Sequence, residues 1–146
     1  MLRGLRSPED KDLPSPKIHH VGIAVESIND ALSLYQDALG VSPMLRTEVP
    51  AEGVTIAMLP VGDSRIELLE ATGADSPITR FLARRGPGLH HIAVQVEDLE
   101  ASVERLRASG RRLVTDEIRL GADGYRYVFV HPSSAGGVLL ELIEEP

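Results

Sequence analysis

Two stretches decide the fold: IHHVGIAVESINDALSLYQDALG at residues 18–40 and LHHIAVQVEDLEASVERLRASG at residues 89–110. Each opens on an aliphatic residue and a His pair, continues as a β-rich run, meets an acidic residue, and ends in an amphipathic segment closed by Gly. Four of the five histidines lie in these two doublets. A second echo follows each: DSRIELLEA at 63–71 resembles GGVLLELIEE at 136–145, with Glu67 and Glu141 in matching places. Self-similarity at a fixed spacing is the mark of a duplicated unit. The chain therefore divides into a flexible leader over 1–17 and a single domain over 18–146. Within that domain lie module one (18–70), a connector (71–88) and module two (89–146).

Within each module the periodicity changes once. Residues 18–25 and 89–96 are strand-like. Ser27 and Asp98 suit helix N-caps. Ile28, Ala31, Leu32, Tyr35 and Leu39 mark one helical face, as do Leu99, Val103 and Leu106 in the repeat. Gly40 and Gly110 end those helices. Strands follow at Met44–Val49, Val54–Leu59 and Arg65–Glu70, then at Leu113–Asp116, Arg126–His131 and Val138–Ile143. Turns fall at Pro50–Gly53, Gly62–Asp63, GADG and PSSAGG. Ser76–Arg84 reads as a short helix with Ser76 as its cap and Pro77 at its first position. The expected architecture is α+β: two tandem β-α-β-β-β modules whose strands curl as one mixed sheet around a cleft.

Composition narrows the function. The 146 residues carry a net charge of −7 and only five aromatic side chains, which excludes the basic footprint and stacking platform of a nucleic-acid binder. There is no Cys, so thiol nucleophiles and Cys-based metal sites are excluded. No apolar run approaches the roughly 20 residues of a membrane helix, and residues 1–17 lack a signal-peptide core; a cytoplasmic protein is expected.

Strand alternation locates the chemistry. Val21, Ile23 and Val25 form a large apolar face. His20, Gly22 and Ala24 form the other, where small residues beside a His describe a hollow. Ile92, Val94 and Val96 against His91, Ala93 and Gln95 repeat the pattern. By the same parity His19 and His90 fall on the opposite face and are not ligands. Glu67 and Glu141 stand inside aliphatic strands, where an ionised carboxylate is costly unless paired or bound to metal. His20, Glu67, His91 and Glu141 thus form a candidate divalent-metal site for Co²⁺, Mn²⁺, Ni²⁺, Fe²⁺, Zn²⁺ or Mg²⁺. His131 reads as a loop residue. Arg84–Arg85 and Arg111–Arg112 read as solvated helix ends, with contact to ligand phosphates as their functional alternative.

Paired modules with His, Glu, His, Glu at these positions resemble the vicinal oxygen chelate superfamily, the glyoxalase and bleomycin-resistance fold. Within it, HHVGIAV, GVTIAMLPVGDSRIELLE, DSPITRFLARRGPGLHHIAVQV and FVHPSSAGGVLLELIE resemble the methylmalonyl-CoA epimerase family. The resemblance implies an isomerase that inverts carbon 2 of methylmalonyl-CoA by 1,1-proton transfer through a metal-stabilised enolate. It implies His20, Glu67, His91 and Glu141 as metal ligands, Co²⁺ foremost, and Glu141 as one catalytic carboxylate, with Glu67, a water or another residue as the opposite base. It also implies an acyl-CoA substrate and a homodimer. Some members carry a second catalytic Glu where Ile56 stands here; Glu48 and Glu52 are near in sequence, but strand parity brings neither to that place. A glyoxalase I-like lyase and a metal-free ligand-binding protein are the alternatives on the same scaffold.

Overall fold

A computed structural model describes residues 15–121 and 124–146. The leader expected over 1–17 lies outside the described residues as far as residue 14, as do Ala122 and Asp123 of the GADG turn. The first strand, β1, spans Lys17–Ala24. After it come α1 (Ile28–Ser33), β2 (Leu45–Val49), β3 (Val54–Val61), β4 (Ser64–Ala71) and α2 (Pro77–Arg85). The second half follows as β5 (Gly88–Gln95), α3 (Leu99–Ala108), β6 (Arg119–Leu120), β7 (Arg126–Val130) and β8 (Leu140–Glu144). All eight strands form one mixed sheet in the order β2-β3-β4-β1-β5-β8-β7-β6. The order is symmetric about the central pair: β1 and β5 run antiparallel to each other, and each pairs in parallel with the last strand of its own half. This is the α+β architecture that the repeat implies.

Equivalent caps hold the helices. Ser27 Oγ accepts from the Asp30 amide at 3.2 Å, and Asp98 Oδ1 accepts from the Ala101 amide at 3.0 Å. A second cap in each half comes from the closing strand: Glu70 accepts from the Ile28 amide and Glu144 from the Leu99 amide. Each carboxylate satisfies an amide that the first helical turn leaves without an intrahelical partner. The apolar helix faces then pack on the sheet. Ile28 and Leu32 meet Ala57, Leu59 and Leu68, with Ile23 and Val25 alongside. Leu99 and Val103 meet Val128, Val130 and Leu142. Each fully buried branched side chain contributes roughly 1.5–3 kcal/mol. On the far side of β1, Ala24 joins Val54, Leu69 and Ile78, seating α2.

Three expectations are corrected. The first helix passes into a π-helical turn over Leu34–Ala38 before Gly40, and this wider winding rotates Leu39 out of the apolar face to 62% exposure. Leu113–Asp116 is not a strand: Leu113 makes one bridge to Val130, and the chain then bends where the Arg107 side chain bonds the Asp116 carbonyl. The paired segment lies further on, at Arg119–Leu120. β8 starts at Leu140 rather than Val138, because the Val138 amide is still bonded to the Ala135 carbonyl, within the turn that Gly136 and Gly137 complete at positive φ.

Candidate metal centre

Register alone brings the two halves of the site together. Gly22 of β1 lies between Glu67 of β4 and His91 of β5, while Ala93 of β5 lies between His20 of β1 and Glu141 of β8. Paired residues share a sheet face. The two rows therefore place two imidazoles and two carboxylates round a floor made of Gly22 and Ala93. The small floor residues are required: a Cβ on Gly22 would lie 2.2 Å from the His91 ring.

The four side chains converge closely. His20 Nε2 and His91 Nε2 are 2.9 Å apart. Glu141 Oε2 is 3.2 Å from each imidazole nitrogen. Glu67 Oε1 lies 3.7 Å from His20 Nε2 and 3.5 Å from His91 Nε2. His20, Glu67, His91 and Glu141 are 3%, 9%, 5% and 7% exposed, so water does little to screen them. Donor atoms held at about 2.0–2.2 Å from one ion stand about 2.8–3.6 Å apart, and these separations fall in or close to that range. The electrostatics agree. Burial alone would lower the His20 pKa, but the hydrogen bond to Glu141 and the charges of Glu67 and Glu141 raise it above its usual value. Burial would raise the Glu141 pKa, yet bonding to both imidazoles holds it down to about 2. Two carboxylates with two imidazoles make a pocket that attracts positive charge, and the donor set suits a divalent transition ion.

His19 and His90 differ from the parity expectation. The β1–β5 register shifts between Ile18 and His20 and again between Gly22 and Ile23, leaving His19 and His90 as extra residues in two equivalent bulges. A bulge puts neighbouring side chains on one side of the sheet. His19 Nδ1 lies 2.8 Å from His20 Nδ1, and His90 Nδ1 lies 3.0 Å from His91 Nδ1. Each doublet thus presents one imidazole to the centre and a second behind it, an arrangement that fixes ring orientation. His19 also receives an Arg65 N–H at Nε2, 2.9 Å away. Burial first, then the neighbouring His20 and Arg65, lowers the His19 pKa to about 4; burial and His91 do the same to His90.

The cavity above the quartet has a volume near 200 Å³ and is lined from both halves of the sheet. Ile56 presents an apolar wall there. Glu48 does not line the cavity, but Glu52 does: the 3-10 turn Pro50–Glu52 swings it inward. Its carboxylate accepts from the Tyr127 hydroxyl at 2.7 Å and pairs with Arg119 at 3.4 Å. Burial and this bond push the Tyr127 pKa up. Strand parity stops at Val49, so the inward swing of Glu52 had no periodic signal. His131 caps the 3-10 turn Pro132–Ser134, in keeping with a loop role. Among the described residues no helix is long and apolar enough to cross a membrane.

A curled duplicated sheet with a His/Glu centre defines the vicinal oxygen chelate class. The chain belongs to the Glyoxalase/Bleomycin resistance protein/Dioxygenase superfamily, whose pattern it matches over residues 19–129. It is 37% identical over 127 residues to the mitochondrial methylmalonyl-CoA epimerase of Mus musculus, covering 86% of this chain and 71% of that protein. The crystal structure of methylmalonyl-CoA epimerase from Mycobacterium tuberculosis superposes with a TM-score of 0.83 at 39% identity, covering 88% of this chain and 87% of that one. A methylmalonyl-CoA epimerase in complex with methylmalonyl-CoA and NH4+ gives 0.82 at 35% identity, covering 88% and 94%.

Proposed function

We propose that this protein is a metal-dependent methylmalonyl-CoA epimerase that inverts carbon 2 by 1,1-proton transfer. The observation that carries the reading is the buried convergence of His20, Glu67, His91 and Glu141, on a scaffold similar to epimerases along most of the chain. These four side chains would hold a divalent ion, Co²⁺ foremost. When bound, the ion supplies the positive charge that stabilises a developing enolate oxygen.

The chain's own residues supply the rest. Glu141, held ionised by two imidazoles, takes the carbon-2 proton on one face of the acyl group. Glu67, on the other side of the His pair, would carry a proton taken from solvent on its free oxygen and deliver it to the opposite face, while the proton on Glu141 leaves to solvent. His19 and His90 hold the ring planes of His20 and His91. Val54, Ile56, Met58 and Phe129 line the cavity with apolar surface and keep water from the planar intermediate. We further propose a cytoplasmic homodimer, which sedimentation of the purified protein checks.

Solvent exchange tests the function. In D₂O, one epimer of methylmalonyl-CoA should give the other with deuterium at carbon 2, read by NMR. Inversion without deuterium, or none with metal-loaded protein, would refute the assignment. Glutathione hemithioacetals are the control substrates for the lyase alternative.

A further inference from the structure

A second and larger concavity, near 450 Å³, opens beside the cavity of the His/Glu centre. The two share Pro77, His90 and His91 in their walls, so the larger one adjoins the cavity where His91 sits. Its floor is apolar, formed by Phe81, Leu89, Ile92, Val138 and Leu139. Its rim is cationic. Arg80, Arg84 and Arg85 all come from α2, all are exposed, and among the described residues none is in a salt bridge. Arg80 and Arg84 are one turn apart and so lie on one helix face. Arg80 bonds the Asp75 carbonyl at 2.9 Å through one nitrogen, and the Arg85 guanidinium stands 5.8 Å over the Phe81 ring.

Helix C-termini commonly carry cations that offset the helix dipole. That accounts for Arg84 and Arg85 but not for Arg80, which lies nearer the N-terminus of α2. In a chain of net charge −7, three guanidiniums that make no salt bridge among the described residues, round an apolar trough beside the reaction centre, favour a polyanionic ligand. The ligand must have one reactive end, an elongated and partly apolar middle, and a phosphorylated end. An acyl thioester of coenzyme A has this form, and planar guanidinium forks match phosphate oxygens. We infer that the groove between α2 and the Pro132–Leu139 loop binds the nucleotide end of the acyl-CoA substrate, with Arg80 and Arg84 holding its phosphates. This rests on the acyl-CoA reading of the centre and adds to it the side chains that select the tail.

The test compares two substrates. Methylmalonyl-CoA carries the whole tail; methylmalonyl-S-N-acetylcysteamine carries only its first atoms. Arg80→Gln and Arg84→Gln should each raise KM for the first roughly tenfold, the loss expected for one charge-assisted phosphate contact, with kcat nearly unchanged. KM for the truncated thioester should not move. Adenosine 3′,5′-bisphosphate should bind the wild type by calorimetry and bind each variant more weakly. Arg111→Gln is the control, because the groove lined by Arg107, Arg111 and Arg112 shares no residue with the centre's cavity. Equal KM shifts for both substrates, or unchanged bisphosphate binding, would overturn the inference. So would a change in the sedimenting mass of the α2 variants, which would give the groove to a second copy of the chain. If the wild type turns over neither thioester, the epimerase reading fails, and the calorimetric arm still decides for or against the groove.

Discussion

Replacing Gly22 by Ala perturbs the centre while all four of its polar side chains stay in the sequence. Gly22 has an ordinary negative φ, so its backbone accepts a Cβ. The space does not: that Cβ would lie 2.2 Å from His91 Cε1, 2.3 Å from Nδ1 and 2.8 Å from Nε2. Ordinary contact begins near 3.4 Å, so the ring must retreat by about 1.2 Å. It has little room, because its edges already meet His20, His90 and Phe129 at centroid separations of 5.1, 5.2 and 5.8 Å. Metal–ligand distances tolerate only about 0.2 Å. The overpacking should cost about 1–3 kcal/mol of stability, partly offset by the about 0.5–1 kcal/mol that Ala gains over Gly in a strand. Affinity for Co²⁺ should fall about 100-fold or more, far out of proportion to the stability change. Calorimetric titration of the metal-free protein, with urea unfolding of the same samples, separates the two effects. Wild-type metal affinity in a folded Gly22→Ala protein would refute the placement of His91 against β1.

Three further predictions follow from the same geometry. Glu67→Gln should slow epimerisation about 100-fold or more, while Glu141 still exchanges the carbon-2 proton of one epimer with solvent; NMR in D₂O reads both rates, and their equal loss would remove Glu67 as the second carboxylate. Glu52→Gln and Tyr127→Phe should each lower stability by about 1 kcal/mol, because their 2.7 Å bond ties the two halves across the cavity, and should change the exchange rate less than about threefold; abolished exchange in Glu52→Gln would move the base to that residue. His19 and His90 titrate near pH 4 when folded and near 6.5 when unfolded, so the unfolded chain takes up protons first as pH falls. Metal-free protein should therefore lose stability from pH 6.5 towards 5, on the order of 1 kcal/mol per pH unit for each histidine. Urea midpoints check this, and a flat profile would contradict the buried neutral assignment.

The duplicated pattern made the sheet legible. Apolar residues recur in matching places in β1 and β5 and in β4 and β8, and the caps Ser27, Asp98 and Ser76 stand where their side chains accept amide hydrogens. The same alternation placed His20, Gly22, His91 and Ala93 on one face. It failed at His19 and His90, because period-two reasoning assumes an unbroken ladder and each doublet sits in a bulge. The bulges set how the second imidazole backs the first, and they arise from pairing between strands that are distant in sequence. Glu52 escaped for a related reason: a 3-10 turn has neither strand nor α-helical period. Leu39 was misplaced by the π-helical turn, which adds a residue to the winding without any marker in composition.

The central claim is that His20, Glu67, His91 and Glu141 hold one catalytic ion. Anomalous diffraction from Co²⁺-loaded crystals tests it most directly. One strong peak per chain is expected, about 2.0–2.2 Å from His20 Nε2, His91 Nε2 and an oxygen of each glutamate. The cluster of Asp98, Glu100 and the partly buried Glu144 is the internal comparison. A peak at that cluster with none at the His/Glu centre would contradict the account.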